Sequence, residues 1–130
     1  MRRLCAIALS LAMAGCAVQP PTPAPDAQRF VVFFQVWSAA LDEPAVAAIK
    51  AAAAEAAAKH DEHVIVVGYA DQVGSSAAND FLSRTRAQVV ADELVTDGVA
   101  RGRITIDARG STPSALSSQA SRRVEIITTR

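Results

Sequence analysis

Asp71 and Arg86 stand fifteen positions apart in the stretch Gly68-Tyr69-Ala70-Asp71 to Arg86-Ala87, with Asn79, Leu82 and Ser83 between them. An acid and a base converging within a few ångströms suit a zwitterion, because an amino-acid head group carries an ammonium and a carboxylate on one carbon. On a helical wheel, Asn79 and Arg86 are seven apart and so fall within about 20° of each other. Leu82, Val89 and Val90 lie on the same side. A guanidinium set in an apolar stripe is costly without partners, so an anion is expected to meet it. Asp71 is the near candidate. Two arrangements satisfy the pair: a direct salt bridge that pins the loop to the helix, or two charges held apart by Gln72-Val73-Gly74-Ser75 so that a zwitterion inserts, with Asn79 bracing the loop or adding a hydrogen bond.

Other chemistries find little support. Ser83 has no histidine in motif spacing to activate it. His60 and His63 flank Asp61-Glu62, which reads as a polar turn between a helix and a strand rather than as a metal site. No phosphate-cradling glycine loop and no carboxylate pair suited to glycosidic cleavage is apparent. A nonenzymatic protein without metal or cofactor is expected.

The elements that must position these residues are legible in outline. Phe30 to Trp37 is an aromatic and β-branched run, hence a strand. Asp42 is a candidate N-cap, Pro44 suits a first helical turn, and Ala45 to Lys59 is dominated by the best helix former. Glu62 to Tyr69 holds Val64-Ile65-Val66-Val67, the signature of a central strand. Ser75 or Ser76 caps a second helix reaching about Thr96, where Asp97-Gly98 supplies a stop. Arg103 to Ala108 and Arg122 to Thr129 alternate as strands. The order β-α-β-α-β-β predicts a two-layer α/β (α+β) sandwich with a mixed sheet and helices on one face. Asp71 then lies just past the C-terminal end of a central strand, where α/β sheets commonly form crevices. Arg122 and Arg123 either steady the site, face an anionic partner, or line the solvated edge of a terminal strand.

Gly68 to Ser75, Asn79, Leu82-Ser83, Arg86-Ala87 and Arg122-Arg123-Val124-Glu125 together resemble the OmpA-like peptidoglycan-binding domain, whose usual patterns are G-H-T-D-x-x-G-s, N-x-x-L-S-x-x-R-A and N-R-R-V-E. The likeness covers residues 30–130 in the expected order. It implies noncovalent capture of the diaminopimelate of the peptide stem, with Asp71 and Arg86 on its head group and Asn79, Gly74 and Arg123 as further peptidoglycan-binding positions. Tyr69 and Ala70 replace the usual histidine and threonine, Ser121 replaces an asparagine, and Gln35-Val36-Trp37 occupies the first-strand exit. Trp37 there would stack over a ligand or block the crevice. A domain that had lost its ligand would instead act as a protein-interaction part of an envelope complex, docking through Trp37.

Upstream, Met1-Arg2-Arg3, the apolar run Leu4 to Met13 and the small residues Ala14-Gly15 read as a secretory signal over residues 1–15, too short to span a bilayer permanently. Met13-Ala14-Gly15-Cys16 resembles a bacterial lipobox, which implies cleavage before Cys16, its lipidation, and a membrane anchor on the periplasmic face of the outer membrane, since Ala17 rather than aspartate follows. Cys5 is lost with the signal, so neither a disulfide framework nor a thiolate metal site is expected. Residues 16–29 read as a proline-rich spacer, extended at about 3.1 Å per residue. Without Arg2 and Arg3 the chain keeps 11 basic against 13 acidic residues, and no basic field calls for nucleic acid.

Overall fold

The computed structural model describes residues 27–111 and 117–129; the signal, Cys16 and the prolines of the spacer lie outside them. The elements are β1 (Gln28–Phe33), α1 (Glu43–Ala58), β2 (His63–Ala70), α2 (Ser76–Thr96), a 3-10 turn (Arg101–Arg103), β3 (Ile104–Ser111), the four-residue α3 (Ser118–Ser121) and β4 (Arg123–Thr129). β1 starts two residues before the expected domain boundary and ends at Phe33, short of Trp37. The chain turns there because Trp37 takes a φ of 53°, which no strand accommodates.

Both long helices begin where their caps dictate. The Asp42 carboxylate accepts from Ala45 N at 2.9 Å and the Ser75 hydroxyl from Ala78 N at 3.1 Å, each satisfying a donor that the first turn leaves without a partner. The C-terminal end of α1 is closed by a residue from the other side of β2. Arg103 donates to the carbonyls of Ala56 (2.9 Å), Lys59 (2.8 Å) and Glu62 (2.9 Å), bringing positive charge to the negative end of the helix dipole.

The sheet runs β1-β4-β2-β3. β4 pairs antiparallel with both β1 and β2, and β2 pairs parallel with β3, so the sheet is mixed as expected. Its position corrects one expectation. β4 is interior, and Arg122 and Arg123, at side-chain exposures of 14% and 17%, do not line a solvated edge.

α1 packs on β1 and β4 and α2 on β2 and β3, all on one face. The core between the layers joins Val32, Val64, Val66, Val124 and Ile126 of the strands to Ile49, Ala52 and Ala56 of α1 and Ala87, Val90 and Leu94 of α2. Small residues set the spacing. A Cβ on Gly68 would stand 2.1 Å from the backbone oxygen of Ser83, so α2 lies directly on the backbone of β2. That approach fixes the height of Arg86, one turn further along α2, above the end of β2.

Candidate site at the C-terminal end of β2

Arg86 is the largest fully buried side chain among the described residues, at 0% exposure. Its expected anionic partner is replaced by carbonyls. Nε donates to Ser38 O at 2.8 Å, Nη2 to Gln35 O at 2.9 Å and Nη1 to Tyr69 O at 3.3 Å, while the guanidinium carbon sits 5.2 Å from the centre of the Phe34 ring. Carbonyl dipoles and a ring face satisfy the cation's donors without neutralising it. Burial lowers its pKa to about 10, with Asp71 pulling it up and Arg122 pushing it down, so it remains charged at neutral pH.

Asp71 makes its ion pair with another arginine. Its Oδ2 accepts from Arg122 Nη1 at 3.3 Å, and its Oδ1 accepts from Val73 N at 3.1 Å in a local turn that starts the loop to α2. Arg122 also donates from Nε to Phe34 O at 3.2 Å, and its own carbonyl accepts from Phe34 N at 2.9 Å. Asp71 and Arg86 feel each other's charge without forming an ion pair among the described contacts. Of the two arrangements open from the sequence, the structure has the charges apart. What keeps them so is each one's engagement elsewhere.

The remaining expected positions divide. Gly74 lies at the mouth with a φ of 96°, and a Cβ there would stand 2.5 Å from Cη2 of Trp37, so both conformation and contact require glycine. Trp37 rests on that glycine with 51% of its surface exposed. Asn79 is buried, but its amide donates to the Ser111 hydroxyl at 3.0 Å and braces the end of β3 rather than the 72–75 loop. Arg123 is not brought to Asp71. It crosses to the helix-free face of the sheet, 4.0 Å from the centre of the Tyr69 ring and paired with Glu125 at 2.9 Å.

Arg122, rather than Arg123, is the arginine that meets Asp71. Strand alternation holds the signal that finds it: Val124 and Ile126 face the helices, so Arg122 shares their side and Arg123 shares that of Glu125. The carbonyls around Arg86 left no such signal. Among the described residues, no three His, Cys, Asp or Glu side chains converge as a metal-binding group.

The OmpA family pattern matches residues 33–126, spanning every element from the end of β1 into β4. Outer membrane protein 40 of Porphyromonas gingivalis is 36% identical over 99 residues, 75% of this chain and 26% of that protein. Outer membrane protein A of Shimwellia blattae is 48% identical over 50 residues, 38% of this chain and 21% of its own. This chain thus spans about a quarter or less of these two relatives. Among solved structures, the OmpA-like domain of FopA1 from Francisella tularensis superimposes with a TM-score of 0.72 at 25% identity, covering 82% of this chain and 75% of that one. The peptidoglycan-associated lipoprotein of Burkholderia pseudomallei gives 0.71 at 24% identity over 77% of this chain and 90% of its own, a likeness of fold. With the family pattern running through most of its length and every long element of the sandwich, the chain belongs to the OmpA family.

Proposed function

We propose that this protein is a nonenzymatic tether that holds peptidoglycan noncovalently through the diaminopimelate of the stem peptide while a lipid on Cys16 holds it at the periplasmic face of the outer membrane. The observation that carries the reading is the gathering of one carboxylate and two guanidinium groups at the end of β2. Asp71, with 12% of its side chain exposed, is the carboxylate at the mouth, and two guanidinium groups lie beside and beneath it. Asp71 takes the ligand's ammonium. Arg122 at the mouth and Arg86 below it supply the positive potential for the ligand's carboxylate. Family membership supports the wall as the partner, as does the name of the peptidoglycan-associated lipoprotein whose fold it shares. The outer membrane as the location is supported by the relatives named for it.

Charge-assisted contacts of this kind contribute roughly 1.5–3 kcal/mol each, and association costs consume much of that. Single-site affinity is therefore modest. Confinement next to a polymer with many identical stems offsets the weakness through effective concentration. The test is co-sedimentation of the full-length chain, in detergent, with isolated sacculi. The parent sediments, free diaminopimelate releases it, and Asp71→Ala stays in the supernatant. Sedimentation of Asp71→Ala to the parent's extent would refute the assignment.

A further inference from the structure

The β1–α1 turn is built unusually for a connection. Its apex, Trp37, holds a φ of 53°, a left-handed conformation that a bulky residue enters only under compulsion, and such strain concentrates where a side chain must be aimed. The compulsion is visible: both ends of the turn, the carbonyls of Gln35 and Ser38, are gripped by the one buried guanidinium of Arg86. Ser38 N closes the turn on Gln35 O at 3.2 Å. The indole so presented rests on Gly74, which is barred from carrying a side chain, and it remains half exposed. Val36 and Val73, also more than half exposed, flank it on the two loops.

From this geometry we infer that Trp37 is a sugar platform, on which a pyranose ring of the glycan strand stacks when its stem peptide occupies the Asp71 site. The inference rests on the proposed stem-peptide reading. The chemistry of the patch favours a carbohydrate. One face of a pyranose presents C–H groups that pack on an aromatic ring, while its edge carries hydroxyl and acetamido groups that seek neutral hydrogen-bonding partners. The two loops carry an indole with amide and hydroxyl side chains, Gln35, Ser38 and Ser75, and between Phe30 and Leu41 there is no charged residue.

Position agrees as well. Gly74 follows Asp71 by three residues, so their Cα atoms stand no more than about 11 Å apart. An extended peptide covers about 3.3–3.6 Å per residue, so the indole lies within about three stem residues of the carboxylate. A sugar bearing the stem reaches it without strain.

The experiment compares two ligands on the full-length chain in detergent: a free stem peptide containing diaminopimelate, and the same stem on its disaccharide. The parent binds the disaccharide form about 3–10-fold more tightly, the gain expected of one aromatic stacking contact. Trp37→Ala erases that gain and leaves affinity for the free stem within about twofold, while Trp37→Phe keeps part of it. Because the chain has a single tryptophan, its emission reports directly, shifting with the disaccharide form far more than with the stem alone. Equal affinity of the parent for the two ligands, or an equal loss for both in Trp37→Ala, overturns the platform while leaving the stem site standing. Failure of the parent to bind either ligand overturns both.

Discussion

The Asp71 carboxylate at the end of β2 and the Arg122 guanidinium at the entrance to β4 form an ion pair of 3.3 Å, with 12% and 14% of their side chains exposed. This pair joins the loop leading into α2 to the strand at the centre of the sheet. Arg122→Ala is expected to loosen that loop, to lower stability by about 1–2 kcal/mol after allowance for partial exposure, and to reduce sacculus binding severalfold. Arg123→Ala, on the opposite face, is expected to leave binding within twofold. Co-sedimentation of the two variants side by side separates the two arginines, and the reverse order would show that the face assignment is mistaken.

Removing Arg86 should be far more damaging than removing a surface arginine. Arg86→Met removes the guanidinium donors to the carbonyls of Gln35, Ser38 and Tyr69, of which Gln35 O keeps Ser38 N, for an expected loss of about 3 kcal/mol or more, read from the urea midpoint. The pH dependence has a definite sign. The folded pKa of about 10 lies below the ordinary value of an arginine. The cost of burying the cation is therefore fully present below pH 10, and stability is regained only as pH rises between the two values. The difference between parent and Arg86→Met is accordingly flat from about pH 6 to 9. A difference that changes steadily across that range would mean that the guanidinium is not the buried cation described.

Gly68→Ala tests the contact between α2 and β2. The added methyl meets the Ser83 carbonyl at 2.1 Å and the Ala87 methyl at 3.1 Å, and the first of these is backbone that cannot swing away. An overpacking loss of about 2–3 kcal/mol is expected, with Arg86 displaced from the Gln35–Ser38 turn and the emission of Trp37 altered in the absence of any ligand. A melting temperature within 2 °C of the parent would show that the layers are less closely packed than described.

What the sequence disclosed follows from how local its causes are. Asp42 and Ser75 declare the starts of α1 and α2 because a cap acts on donors two and three residues away. The valine run of β2 discloses a covered strand for a similar reason. The place of β4 was hidden, since alternation reveals faces and not neighbours, and nothing in Val124 to Thr129 says that the strand lies between β1 and β2. Four residues of α3 are too few for a period to show.

The site was legible in composition and not in pairing. Asp71 and Arg86 stood out by type and spacing, and Gly74 through the family resemblance. The surroundings of Arg86 are carbonyls from positions 17 to 51 residues away, contributed by any residue type and brought there by topology alone. A carbonyl leaves no mark in a sequence. The left-handed backbone of Trp37 was hidden in the same way, since tryptophan is among the last residues one would assign to it.

Because β4 threads between β1 and β2, the sheet is completed only by a strand that follows both of them in the chain. Until that segment is available, the first and second strands each lack their shared neighbour, and both present open hydrogen-bonding edges of the kind that recruit other chains. Closure is thus a late, nonlocal event that a growing chain cannot rehearse, and the interval before it is when the molecule is most exposed to misassociation.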